Sequence, residues 1–121
     1  MSVVDARRGE VFRCLYTTES DSPRPLGEPS VVSPDLLAVE LSELVGAGTS
    51  PVLVGDGAQR YSNVLLGDRL TLGAAPLRYP DAEWLVAAAT LDRAVRAETV
   101  SPLYLREADV RIGWEQRDAR P

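Results

Sequence analysis

The sequence contains no histidine and no lysine, and only one residue each of cysteine, methionine and phenylalanine. The absence of histidine removes the commonest general base and metal ligand, so Ser-His and Cys-His nucleophile arrangements cannot be assembled from these residues. One cysteine without histidine leaves no zinc site and no internal disulfide. Cys14 stands among apolar residues and reads as a small buried hydrophobe, which suits a reducing cytosol. Because all thirteen basic residues are arginine, the bias fits a GC-rich genome better than a demand for guanidinium chemistry. Long apolar runs are missing too. The longest, residues 84–89, is six residues, against the roughly 20 of a membrane-spanning helix. The start has neither a basic region nor a long apolar one, so no secretory signal is expected. With a net charge of −5 and arginines interleaved with acids, no basic stripe can neutralise phosphates, which speaks against direct nucleic-acid binding by this chain alone.

What is present describes an ordinary globular chain. Its 121 residues, 45% hydrophobic and 26% charged, suit one domain with a single core. Residues 2–5 and 10–18 read as two antiparallel strands, with residues 6–9 as their loop and Gly9 at positive φ. In the second strand Phe12, Cys14 and Tyr16 share one face by the two-residue period, while Val11 and Leu15 make the other partly apolar. Residues 20–25 form a breaker cluster. A third strand is expected near residues 26–32, at an edge or beginning after Pro29, which cannot donate to a ladder.

The period then changes to that of a helix. Ser33 as N-cap, Pro34 at the first helical position and Asp35 in the first turn open a helix over residues 34–45, with Leu36, Leu37, Leu41, Leu44 and Val45 on one stripe and Gly46 as the stop. The apolar run at residues 51–54, the turn Gly55-Asp56-Gly57 and residues 58–67 read as a buried parallel strand feeding a helix. Another strand is expected around residues 70–72. A long last helix starts at Pro80-Asp81 and faces the sheet with Trp84, Ala88, Leu91 and Val95, its alanines at 87–89 permitting close approach to a neighbour. Leu103 and Leu105 predict a tail strapped across the core or docked on a partner, and Trp114 lies in a polar tail. The element order β-β-β-α-β-α-(β)-α is that of a ribonuclease-H-like lobe of the actin, hexokinase and Hsp70 architecture, an α/β fold with a mixed sheet.

The candidate chemistry is sparse. A glycine turn at the carboxyl end of a parallel strand is where α/β proteins seat phosphates, so Gly55, Asp56 and Gly57 read either as a structural strand-to-helix turn or as a retained or vestigial nucleotide contact. The turn matches neither a Walker A loop nor G-x-G-x-x-G, and Asp56 opposes a phosphate unless Mg²⁺ intervenes. Asp5 and Glu10 flank the first hairpin as a possible carboxylate pair, though hairpin ends are ordinarily polar and solvated. Arg7-Arg8 reads as a solvated loop tip. No cofactor or metal site is expected.

Four segments carry a resemblance. Residues 4–12 (Val-Asp-Ala-Arg-Arg-Gly-Glu-Val-Phe), Gly55-Asp56-Gly57-Ala58, Arg78-Tyr79-Pro80 and Pro102-Leu103-Tyr104-Leu105-Arg106 resemble, in order and spacing, the TsaB (YeaZ) family over residues 3–106. The resemblance implies a catalytically inert relative of TsaD, the subunit that installs threonylcarbamoyl on adenosine 37 of ANN-decoding tRNAs, and a scaffold role alongside TsaD and the ATPase TsaE. It carries no peptidase site onto these residues, despite the family's older glycoprotease-like (peptidase M22-like) label. Family members have two lobes, and the first opens on an Ile-Asp-Thr-Ser-like strand that has no counterpart here. Residues 1–106 are therefore expected to be the C-terminal lobe, residues 107–121 a polar tail, and the lobe-facing surface a site of homo-oligomer formation. Two rivals stand beside this reading: a degenerate sugar-kinase-like lobe binding nucleotide at Gly55–Gly57, and an unrelated self-assembling interaction module.

Overall fold

The computed structural model describes residues 1–19, 23–67, 70–89 and 94–106. Strands β1 (Ser2–Arg7) and β2 (Glu10–Cys14) form an antiparallel hairpin. Arg7 pairs with Glu10, so the loop is only Arg8-Gly9, with φ of 55° and 80°. Two consecutive positive-φ residues match the right-handed twist of the flanking strands. Gly9 takes the predicted conformation, but the strand runs on through Ala6 and Arg7 rather than ending at Asp5. A register irregularity between Asp5 and Arg7 accompanies φ 64° at Arg7.

The second strand stops earlier than its alternation suggests. At Leu15 the carbonyl accepts from the Leu26 N–H at 2.9 Å, which diverts the chain, and Tyr16–Thr17 becomes β3, paired with β4 (Arg24–Pro25). Strand β5 (Ser30–Val32) pairs antiparallel with β2 and lies at the sheet edge, beginning directly after Pro29. The breaker residues 20–22 lie outside the described residues.

Helix α1 (Pro34–Gly46) forms where the cap signals put it: the Ser33 hydroxyl accepts the Leu36 N–H at 3.3 Å and Pro34 is buried at the first turn. Its end is a Schellman motif. Gly48 at φ 88° is the left-handed residue, its N–H donating to the Val45 carbonyl at 3.0 Å while Thr49 donates to Leu44 at 2.9 Å. The helix therefore runs through Gly46 and stops on the second glycine, not the first. Leu37 and Leu41 are fully buried, whereas Leu36 is exposed and Leu44 and Val45 are half-buried.

Strand β6 (Val52–Leu53) pairs parallel with β7 (Thr71–Leu72). Val54, just beyond β6, bridges Ser2 in parallel: its carbonyl accepts the Val3 N–H at 2.8 Å and its N–H donates to the Met1 carbonyl at 3.0 Å. Laterally the strands follow as β7, β6, β1, β2, β5. The chain then enters α2 (Asp56–Arg60), turns at Tyr61 and continues as α3 (Ser62–Leu65), so the helical stretch starts two residues before Ala58 and is broken in the middle.

One side of this arrangement is closed. Val3, Val11, Leu37, Leu41, Leu53, Ala58 and Leu65 form one buried cluster with Met1, each large side chain contributing roughly 1.5–3 kcal/mol on burial as an upper figure. An ion pair, Arg13 Nε to Glu40 at 3.2 Å, ties β2 to α1. The opposite side carries the cross-strand neighbours Val4, Phe12 and Val31. Val4 is 45% exposed, and Phe12 and Val31 are half-buried.

The last helix does not close that side. Helix α4 (Ala82–Ala88) starts as its signals predict, with the Asp81 carboxylate accepting the Glu83 N–H at 2.9 Å. It ends after seven residues and buries none of them. Trp84 is 71% exposed, Val95 is also exposed, and Leu91 lies outside the described residues. Two turns cannot spread an apolar stripe over three strands, so the expected sheet-facing helix is a surface element here, and the small alanines at 87–89 serve no buried approach. The segment around Leu103 is exposed as well, and Leu105 only half-buried. What holds it is polar: Arg106 Nη1 donates to the Ala6 carbonyl at 3.1 Å and its Nη2 to the Glu10 carboxylate. Trp114 and the tail, residues 107–121, lie outside the described residues.

Candidate functional site

The glycine turn is explained by packing. Gly55 has φ 111°, and a Cβ there would stand 2.3 Å from the Val3 carbonyl oxygen; a Cβ on Gly57 would stand 2.8 Å from the Val4 carbonyl carbon and 2.9 Å from the Asp5 nitrogen. Only glycine allows α2 to approach β1 this closely. One donor of the turn is engaged as well: the Gly55 N–H donates to the Leu77 carbonyl at 3.0 Å. Asp56 Oδ1 accepts the Asp5 N–H at 3.0 Å. The aspartate that opposes a phosphate thus has a structural task, stitching the start of α2 to β1.

Asp5 and Glu10 are not brought together as a carboxylate pair. Glu10 binds Arg106. Asp5, whose side chain is 5% exposed, accepts the Arg7 N–H at 3.0 Å and faces the Arg7 and Arg60 guanidiniums at 3.7 and 3.4 Å. These groups border a polar cleft of about 380 Å³, lined by Asp5, Arg7, Asp56, Gln59, Arg60 and Arg78 with Tyr79 beside them. Arg78 stands over the Tyr79 ring at 5.0 Å and Arg60 over Tyr61 at 5.7 Å. Arg7 is solvated as expected, 80% exposed at its side chain, and it also borders this cleft, which the sequence did not signal. Its arginines come from a hairpin, the end of a short helix and a 3₁₀ turn (Ala75–Arg78), and no local spacing signals their meeting.

A second cleft, of about 280 Å³, is apolar and lies between the open side of the sheet and the start of α4, with Val4, Val54, Leu77, Pro80 and Trp84 among its walls. Cys14 is buried, its sulfur 3.7 Å from the Gly27 carbonyl oxygen. Tyr16 has its pKa raised above the ordinary 10.0, first by its hydrogen bond with the Cys14 side chain and then by burial. Among the described residues no group of three or more aspartates, glutamates and cysteines gathers as a metal site. No helix among them is long and apolar enough to cross a membrane.

These elements define a mixed α/β domain whose main features are a packed glycine turn, an arginine-lined cleft and an open apolar side. No protein-family model matches the chain, and no curated protein does. Among solved structures it is similar to the crystal structure of an uncharacterized protein with similarity to peptidase YeaZ from Pseudomonas aeruginosa, with 28% sequence identity and a TM-score of 0.65. The likeness covers 87% of this chain and 48% of that one, so the chain spans about half the length of its neighbour. A YeaZ-like structural relationship is thereby supported.

Proposed function

We propose that the chain is a TsaB-related, non-catalytic subunit lobe of the cytoplasmic machinery for N6-threonylcarbamoyladenosine at adenosine 37 of tRNA, and that it holds TsaD and TsaE in place. In this reading residues 1–106 are one ribonuclease-H-like lobe of the actin, hexokinase and Hsp70 type. The lateral order β7, β6, β1, β2, β5, parallel across the first three strands and antiparallel beyond, supports that assignment. The YeaZ-like neighbour supports the family.

The observation that carries the scaffold role is the open apolar surface. Trp84, Val86 and Tyr104 are at least 71% exposed, on segments that bury nothing of their own. Exposed apolar side chains, with Trp84 facing Val4 and Val54 across the apolar cleft, mark protein interaction sites. Homo-oligomer formation through the same surface belongs to the proposal. Capture of purified TsaD, and of TsaE in its presence, by the full chain tests it; a full chain that ignores TsaD refutes it. Calorimetry with ATP and Mg²⁺ separates the sugar-kinase-like rival, since both glycines pack against β1 and the Gly55 N–H is held by Leu77, and no heat of binding is expected. Sedimentation of the chain alone reads the oligomer, and a clean monomer at high concentration contradicts that part.

A further inference from the structure

The arginine-lined cleft has donors that its own carboxylates leave unengaged. Asp56 is tied to β1 through its Oδ1. Asp5 gives Oδ1 to the Arg7 N–H and leaves Oδ2 facing two guanidiniums at 3.7 and 3.4 Å. Charge-assisted hydrogen bonds run at about 2.7–2.9 Å, so neither arginine closes on that oxygen. Each guanidinium carries five N–H donors in a fixed plane. Arg7 and Arg60 are 80% and 60% exposed at the side chain. Arg60 and Arg78 lie over the Tyr61 and Tyr79 rings, contacts that take up no N–H. Gln59 adds an amide at the same wall.

The charges decide what fits. Three guanidiniums against two carboxylates, counted over the cleft lining, leave one positive charge. A carboxylate balances it; a phosphate dianion overshoots and sets its second charge beside Asp56. A volume of about 380 Å³ admits one side chain or one small acid. We propose that this cleft is a receptor for a single carboxylate, held by Arg7, Arg60 and Arg78, and supplied by an acidic side chain or by a free carboxylic acid. The inference needs neither TsaD nor the scaffold reading.

Titration of the full chain at constant ionic strength, followed at the arginine Nε–Hε NMR signals, tests it with three probes: propionate, an acetylated and amidated Gly-Glu-Gly peptide, and inorganic phosphate. Saturable shifts at Arg7, Arg60 and Arg78 with a carboxylate probe are expected, weakened at least tenfold by Arg60→Gln and by Arg78→Gln and unchanged by Arg24→Gln outside the cleft. Among the described residues Arg78 forms no ion pair with Asp5 or Asp56, so Arg78→Gln reads the site even if Arg60→Gln disturbs folding. Tighter binding of the peptide identifies a protein side chain as the source, and equal or tighter binding of propionate a free acid. Phosphate binding more tightly than both carboxylates, or shifts that grow linearly and equally at Arg24, would overturn the proposal.

Discussion

Residues 1–65 and residues 75–106 are both rich in apolar side chains, yet among the described residues the first region holds the whole core cluster and the second no part of it. The difference lies in what each apolar stripe meets. Leu37 and Leu41 on α1 face Val3 and Val11 of a hairpin close by in sequence, and the helix is long enough to cover them. Trp84 and Val86 sit on a capped but seven-residue helix whose stripe finds no such floor. A periodic apolar pattern thus states that a face needs covering; it does not state that the cover belongs to the same molecule.

The contrast can be broken most sharply by truncating one side chain in each region. Leu41→Ala is expected to cost about 2–5 kcal/mol, read as a lower urea midpoint by circular dichroism. Trp84→Ala is expected to stay within about 0.5 kcal/mol of the parent. Equal losses would abolish the distinction. Next in size come the glycines. Gly57→Ala drives a Cβ into the β1 backbone and is expected to cost about 1–3 kcal/mol. Gly46→Ala meets open space in α1 and is expected to stabilise by up to about 1 kcal/mol. At the C-cap, Gly48→Ala forces a side chain to φ 88°, with an expected loss of about 1 kcal/mol.

The smallest effect concerns pH. Tyr16 stays neutral in the folded state above the ordinary 10.0, held first by its hydrogen bond with Cys14 and then by burial. A raised folded value means that its contribution is complete below the unfolded pKa and lost as pH climbs through the folded one. Absorbance titration of the parent against Tyr16→Phe should therefore show one tyrosine ionising late, and Cys14→Ala should bring it back towards 10.0.

Much of the first region was legible because its signals are local. Ser33, Pro34 and Asp35 specify a helix start within three residues, and Gly9 marks the hairpin turn, although the loop is Arg8-Gly9 rather than residues 6–9. Pro29 correctly delays β5. The pattern failed where a distant partner decides. Leu15 looks like continuing strand until Leu26 takes its carbonyl, and Gly46 looks like a stop until the Schellman bonds from Gly48 and Thr49 carry the helix through it. Of the candidate site, the Gly55–Gly57 turn was visible, with its structural reading among the alternatives. The arginine cleft was invisible, since Arg7, Arg60 and Arg78 meet only once β1, α2 and the 3₁₀ turn are folded together.

Amide hydrogen exchange on the full chain, alone and with TsaD added, bears most directly on the idea that the open apolar side is a docking surface. Amides in β1, β2 and α1 should be protected in both states, while those of residues 82–88 should exchange rapidly alone and slow on addition of TsaD. Unchanged exchange across residues 77–106 with TsaD at saturating concentration would contradict it.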